Sequence, residues 1–179
     1  AVGNDMRMLV SDMAGRASIE LKGRELGYDL SADRALLSTI TERVKVLEAQ
    51  GYTFEAADAS FELLLREEVE GYRPSFFEVE SWRAITESRP TTEALSEATV
   101  KLRAGGERVV AVGEGNGPVN ALDHALRKAL EQFYPELKEI KLFDYKVRVL
   151  PAGKGTASVT RVLIESGDRK GRWGTVGVS

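Results

Sequence analysis

The spacing of apolar residues changes partway along this chain of 179 residues. Before residue 70 they recur every three or four positions, which is typical of amphipathic helices. After residue 76 they alternate with polar residues in short runs, which is typical of half-buried strands. GYRPS, residues 71–75, separates the two patterns, and its proline disfavours helix. The pattern predicts an α+β protein with a helical subdomain over residues 1–70 and a strand-rich domain over residues 76–179.

The helical subdomain is predicted to contain three short helices. They carry few large apolar residues, so their core is small and we expect it to lean on another part of the protein. Hydroxyl or carboxylate residues cap the helix starts, and glycines follow two of the helix ends. The predicted helices are Ser11 or Asp12 to Leu26, a second one between its cap Ser31 and Gly51, and Glu55 to Val69.

The strand-rich domain repeats one order of elements. Val112-Gly113 near the end of the third strand is matched by Val176-Gly177 near the end of the sixth. This indicates a duplicated β-β-β-α unit whose second helix would begin at Ser179, so we expect the natural chain to continue. The predicted elements are strands over 76–87, 97–105 and 108–115, a loop over 88–95, a helix over 116–133, and strands over 138–150, 158–166 and 172–179.

Two side-chain patterns predict how these elements pack. In the first strand, Phe77, Val79 and Ser81 are expected on one face, because side chains alternate along a strand. In the helix, one face is apolar and the opposite face is charged. The predicted apolar stripe consists of Val119, Leu122, Ala125, Leu126, Ala129, Leu130 and Phe133.

Composition removes several classes of function. The net charge of −3 disfavours binding to a nucleic-acid backbone. No apolar run approaches the length of a membrane helix, and no signal-peptide pattern begins the chain. The chain has one histidine, His124, and no cysteine, so we expect no thiolate metal site, no disulfide and a cytoplasmic protein. We predict no catalytic residue and no metal ligand in this chain, and we interpret His124 as a solvated or interface side chain.

The stretch GEGNGPV, residues 113–119, is the strongest candidate for binding chemistry. It lacks the Gly-Lys-Ser/Thr of a phosphate loop and the spacing of a dinucleotide fingerprint. Asn116 or Gly117 can cap the following helix, with Pro118 in its first turn. Capping does not explain the alternating glycines, and a helix N-terminus also attracts small anions. From these residues alone, a plain cap and an anion site are equally favoured. A second glycine-containing stretch, residues 142–158, is interpreted as a strand with a polar edge and a glycine turn.

Longer motifs carry a family resemblance. EGNGPVNALDHALRKAL, YPELKEIKLFDYKVRVL, GTASVTRVLIES and WGTVGVS resemble the C-terminal regulatory domain of the citramalate synthase / 2-isopropylmalate synthase family. NALDHALRKAL together with DYKVRVL is more similar to the citramalate synthase type. The first half of the chain resembles the helical segment that follows the catalytic barrel in the same family.

The resemblance implies a regulatory fragment of an acyltransferase. In the family, a barrel domain condenses acetyl-CoA with a 2-oxo acid by means of a divalent metal, and a helical linker joins it to a regulatory domain of two β-β-β-α units. That domain dimerises and binds a branched-chain amino acid as feedback inhibitor. The barrel lies outside this chain, so the fragment is expected to be inactive alone and to need no cofactor. The resemblance implies isoleucine as effector, leucine if the parent is a 2-isopropylmalate synthase.

Carried over by position, the resemblance implies an effector site in two stretches of the chain. Backbone N–H groups would bind the effector carboxylate, apolar side chains would hold its branched chain, and Asp144 would bind its ammonium group. Two alternatives stay open: a purely structural dimerisation domain, and an independent nucleotide-binding domain. The implied site residues are Gly115, Asn116, Gly117, Val119, Asn120, Leu142, Asp144, Tyr145, Val149, Thr156 and Ser158.

Overall fold

The computed structural model describes residues 15–89, 92–150 and 158–179, with the backbone alone for residues 88, 89 and 92–94. Its elements confirm the predicted α+β class. In chain order they are α1 (Arg16–Glu25), α2 (Arg34–Ala49), α3 (Asp58–Glu70), β1 (Phe77–Arg89), β2 (Thr92–Ala104), β3 (Glu107–Gly115), α4 (Pro118–Leu130), a 3-10 helix (Pro135–Glu139), β4 (Lys141–Val149), β5 (Thr160–Gly167) and β6 (Arg172–Val178).

The described strands form two three-stranded antiparallel sheets. The first sheet has the order β1-β2-β3 and the second the order β4-β5-β6. The repeated three-strand unit predicted from the sequence is therefore confirmed. By packing, the chain divides into a βββα unit, Pro74–Ile140, and a composite unit made of the described parts of residues 1–73 and 141–179. The sequence predicts one boundary at residues 71–75, with all strands after it in one domain. Packing instead groups the second sheet with the helices that precede this boundary.

The βββα unit is held together by α4 lying on one face of the first sheet. The helix contributes a stripe of fully buried alanines, and β2 and β3 contribute small and medium apolar side chains. Small residues on both sides allow the helix backbone to approach the sheet closely. The predicted stripe is right in Ala125, Ala129 and Leu130 but omits Ala121, and Val119 is half exposed. The buried core is Ala98, Val100, Leu102, Ala104, Ala111, Ala121, Ala125, Ala129 and Leu130.

Strand β1 departs from the predicted alternation and length. A β-bulge between Val79 and Ser81 aligns Val79 with Leu102 and Ser81 with Lys101, so Ser81 moves to the opposite face from Val79. The predicted shared face of Phe77, Val79 and Ser81 is wrong for that reason. The predicted loop over 88–95 is also wrong, because β1 continues to residue 89 and β2 begins at residue 92.

The helical segment, which we define as α1 to α3, contains the three predicted helices, but α3 begins at Asp58 rather than Glu55 and the cap of α2 changes. Asp33, not Ser31, caps α2, because its Oδ1 accepts hydrogen bonds from Ala35 N at 3.0 Å and Leu36 N at 2.9 Å. Ser31 is held by Asp29, to which its hydroxyl donates at 2.6 Å. The predicted start of the first helix at residue 11 or 12 lies outside the described residues.

The composite unit packs the helical segment against the second sheet. Val176 of β6 contacts the helical core, which supports the expectation that this small core leans on another element. The neighbouring residue Gly177 has open space where a side chain would be, whereas Gly113 in the first sheet lies against α4. When Val112-Gly113 is aligned with Val176-Gly177, the two sheets differ in which face is covered. The glycine side of the first sheet packs on α4, whereas the valine side of the second sheet packs on the helices. The buried helical core is Ile19, Leu30, Leu37, Ile40, Val44, Phe54, Phe61, Leu64 and Leu65.

Candidate functional site

The start of α4 presents free backbone donors. Gly117 is the N-cap and makes no side-chain capping bond, and Pro118 is the first helical residue. The first intrahelical bond is donated by Ala121 N to Gly117 O at 3.0 Å. The N–H groups of Val119 and Asn120 therefore have no helical acceptor, and proline has no N–H to offer. This end of the helix can donate two hydrogen bonds to a small anion and carries the positive end of the helix dipole.

Packing explains two of the three alternating glycines. A Cβ on Gly113 would lie 2.4 Å from Ala125 N, and one on Gly115 would lie 2.7 Å from Ala121 N. Both residues therefore let β3 pass directly beneath the helix backbone. Gly117 differs, because nothing lies within 4 Å of its Cβ position and its φ of −175° is open to any residue. Residue 117 is the one of the three whose missing side chain no intrachain contact explains.

A hydrogen-bonded chain fixes the loop before α4. His124 Nδ1 lies 2.6 Å from Glu114 O, and His124 Nε2 lies 3.4 Å from Asn120 Nδ2. Asn120 Oδ1 accepts from Asn116 N at 3.3 Å. One tautomer satisfies all three contacts: Nδ1–H donates to the Glu114 carbonyl, and Nε2 accepts from the Asn120 amide. His124 is exposed, as its interpretation as a solvated side chain expects, and its ring also holds the loop before α4 through these hydrogen bonds.

The same contacts correct the predicted role of Asn116. Its backbone N–H is bound by a side chain of α4, and the capping position belongs to Gly117. Sequence reasoning missed His124 as a loop ligand. The signal was its spacing of four from Asn120, which places both side chains on one helix face above the glycine loop.

Strand β4 separates the predicted effector residues between its two faces. Leu142, Tyr145 and Val149 lie opposite Ser166, Ile164 and Thr160 of β5, all on one face of the second sheet. They form an exposed apolar surface together with Val147. Asp144 lies opposite Glu165 on the other face. The three apolar side chains are therefore together, and the carboxylate is not among them.

The Asp144 carboxylate is already engaged. Its Oδ2 lies 2.5 Å from Lys146 Nζ, and its Oδ1 accepts from Tyr145 N at 2.8 Å. The hydrogen bond from Lys146, followed by that from the Tyr145 backbone, holds the pKa of Asp144 below its ordinary value. An effector ammonium group at Asp144 would have to displace Lys146.

The remaining predicted residues are less informative. Ser158 is half buried just before β5, and Thr156 lies outside the described residues. The residues at the start of α4 belong to the βββα unit, and those on β4 belong to the composite unit. Within the described part of the chain, no group of three His, Asp or Glu residues could hold a metal ion. In that same part, no helix is both long and apolar enough to span a bilayer.

The fold and the candidate site define a class: an α+β module of repeated three-stranded sheets that offers a helix N-terminus and an apolar strand face. The LeuA allosteric (dimerisation) domain family matches residues 55–179, and the chain belongs to this family. This confirms the family resemblance drawn from the sequence.

Similarity to individual proteins covers nearly the whole chain. It is 66% identical over 178 residues to the (R)-citramalate synthase of Streptomyces coelicolor, covering 99% of this chain and 33% of that protein. It is 55% identical to that of Geobacter sulfurreducens and 46% identical to that of Aquifex aeolicus, in each case over 99% of this chain and 34% of the relative. The chain spans about a third of the length of these curated relatives.

Proposed function

We propose that this chain is the regulatory and dimerisation part of a citramalate synthase. The observation that carries the proposal is the 66% identity to an (R)-citramalate synthase over nearly the whole chain. The parent would be an acyltransferase of branched-chain amino-acid biosynthesis that condenses acetyl-CoA with a 2-oxo acid. Its divalent metal would belong to a barrel domain outside this chain. A cytoplasmic location stays a prediction.

Dimerisation is supported by the family and by exposed apolar side chains in both units. The family is described as a dimerisation domain. Trp82 on β1 and Val149 on β4 are each 63% exposed, although both are large apolar residues. Side chains of this kind are enriched at interfaces between proteins. We therefore propose a homodimer.

The proposed effector is a branched-chain amino acid, with isoleucine favoured because citramalate feeds isoleucine synthesis. The free N–H groups of Val119 and Asn120 suit its carboxylate, and open space at Gly117 leaves room for it. The apolar face of Leu142, Tyr145 and Val149 suits a branched side chain and is a separate candidate, because it lies in the other unit. Each candidate has its own test.

Calorimetric titration of the chain with isoleucine and with leucine tests the proposal. Binding of isoleucine by the wild type is expected to be lost in Gly117→Leu, where a side chain would fill the space beside the free N–H groups. Val149→Asp is the matching variant on the apolar face. Val110→Asp is the control, since it places the same charge on an exposed β3 position on the sheet face opposite α4.

Three results would contradict the proposed function, and each would favour a different alternative. A folded dimer by light scattering that gives no heat with either amino acid, repeated with the full-length protein, would make the domain purely structural. Heat with leucine alone would assign the chain to a 2-isopropylmalate synthase. Measurable binding of a nucleotide would favour the alternative of an independent nucleotide-binding domain.

A further inference from the structure

The free edge of the second sheet is hydrogen-bonded to the helical segment. Strand β6 is an edge strand, so alternate N–H groups along it have no strand partner. Gly174 N donates to Asp58 Oδ1 at 2.8 Å, and Val176 N donates to Ser60 Oγ at 3.0 Å. Both acceptors come from the first turn of α3. Since each bond ends on a backbone N–H, β6 cannot slide along α3 without breaking both.

The backbones are in direct contact beside these bonds. A Cβ on Gly174 would lie 1.9 Å from the carbonyl oxygen of Ala56, so only glycine allows residues 55–57 to lie against β6. Val176, next on the same face, packs into the helical core. The helical segment and β6 therefore share one closely packed surface.

Strand β5 makes a second connection, to the end of α2. The Arg161 guanidinium donates through Nε to Gly51 O and through Nη2 to Tyr52 O at 3.4 Å. Gly51 follows the C-cap of α2 with a φ of +105°, and a Cβ there would lie 2.6 Å from Leu150 Cδ1. A cation at this position is stabilised by the carbonyl groups that it binds and by the negative end of the helix dipole. Arg161 thus ties α2 to the strand that pairs with β4.

We propose that Asp58, Ser60 and Arg161, which we call the helix–sheet contacts, transmit effector binding from the second sheet to the helical segment. The inference rests on the proposed function, because it requires an effector that contacts β4. Arg148 of β4 pairs directly with Arg161 of β5, so a displacement of β4 reaches α2 through one strand. Packed elements joined by hydrogen bonds between side chains and backbone can carry coupling between distant sites when they have two arrangements.

The alternative route along the chain is mechanically weaker. Between α3 and β1 the chain runs through residues 71–76, which form no helix or strand. Gly71 closes α3 in the left-handed conformation with a φ of +64°, and all but one of these residues are exposed. Arg73 pairs with Glu67 and Phe76 packs on Tyr134, but exposed segments without helix or strand deform more easily than packed elements, so they transmit displacement less well. The helix–sheet contacts are therefore the stronger route from the second sheet to the helical segment.

The test uses the full-length protein that carries this chain. Isoleucine affinity by calorimetry and inhibition of the synthase reaction are measured for Arg161→Gln and Ser60→Ala. Both variants are expected to bind isoleucine within about threefold of the wild type, while the inhibition at saturating isoleucine falls about tenfold, within the usual range of allosteric coupling. Ser60→Thr retains the hydroxyl and is expected to restore inhibition. Arg108→Gln, which removes an arginine that pairs with Glu80 in the βββα unit, is the matched control.

Hydrogen exchange of the chain itself gives a second readout that needs no catalysis. Isoleucine is expected to slow exchange at amides of α2 and α3 in the wild type, and not in Arg161→Gln. Variants that bind isoleucine but stay fully inhibited, with unchanged protection of α2 and α3, would overturn this inference alone. A wild type that binds neither isoleucine nor leucine would overturn the proposed function and this inference with it.

Discussion

Alanine at residue 113 is expected to destabilise the βββα unit, because Gly113 lies directly beneath the backbone of α4. An added Cβ would lie 2.4 Å from Ala125 N and 2.6 Å from Ala121 O. Favourable contacts of carbon lie near roughly 3.5 Å, so the helix would have to move away from the sheet by about 1 Å. Both neighbours are backbone atoms, which cannot rotate aside as a flexible side chain can.

The size of the effect follows from what the helix shift weakens. Burial of three alanine methyl groups and Leu130 contributes about 4–5 kcal/mol, and a gap of roughly 0.5–1 Å removes a quarter to a half of the dispersion contact. Overpacking a close-packed site costs about 1–3 kcal/mol. We therefore expect Gly113→Ala to lower the free energy of unfolding of this unit by about 2–3 kcal/mol. The alanines concerned are Ala121, Ala125 and Ala129.

Urea unfolding monitored by Trp82 fluorescence measures this effect in the right unit. A Trp173→Phe background leaves Trp82, on β1, as the single tryptophan. Gly117→Ala is the matched control, because its Cβ position is open and its φ is unrestricted. That variant is expected to cost only about 0.5–1 kcal/mol, because alanine is a poorer N-cap than glycine, and so less than Gly113→Ala. Equal unfolding midpoints for the two alanine variants would refute the close approach of β3 to α4.

Three further predictions address the caps, an ion pair and the loop. Asp33→Ala is expected to cost about 1 kcal/mol in thermal unfolding because α2 loses its N-cap acceptor, and Asp33→Asn, which keeps an acceptor, is expected to cost much less. Hydrogen bonds from arginine lower the pKa of Glu80 below its ordinary value of 4.5. Its contribution to stability is then present above that value and is lost as the pH falls through the lowered pKa, so Glu80→Gln is expected to flatten the fall of Tm as the pH drops below about 4.5. An unchanged acid slope would rule out this ion pair as a contributor. The ring of His124, the single histidine, is expected to show in ¹⁵N NMR a proton on Nδ1 and none on Nε2, since Glu114 O accepts and Asn120 donates. The opposite tautomer would exclude the proposed loop network.

The periodicity of apolar residues is sufficient to predict most helices and strands of this fold. Most of the errors arise where neighbouring side chains compete for the same hydrogen bond or where a strand gains an extra residue. Helices and strands follow from apolar spacing, which burial on one face requires. The cap of α2 was assigned to Ser31, but Asp29 binds that hydroxyl and Asp33 takes the helix end. A bulge such as that after Val79 adds one residue without changing composition, so alternation alone does not reveal it.

The spacing of apolar residues does not predict which distant parts of the chain pack together. Ala121 was omitted from the helix stripe because alanine is weakly apolar, and only contact with the sheet shows it to be buried. The grouping of the second sheet with the helices depends on Gly174 and Asp58, 116 positions apart. In the candidate site, close packing against α4 accounts for Gly113 and Gly115. The proposed effector contacts that remain are the helix start at Gly117 and the apolar face of β4.

The composite unit is made of two stretches of chain that are far apart in sequence, and the βββα unit lies between them. During synthesis the helical segment leaves the ribosome before the βββα unit, and Val176 and the β6 edge that complete its surface leave after it. The βββα unit is continuous, so it can fold before the helices meet their partner strands. Of the two, the composite unit is therefore expected to be the one exposed to chaperones and proteases until β6 has emerged.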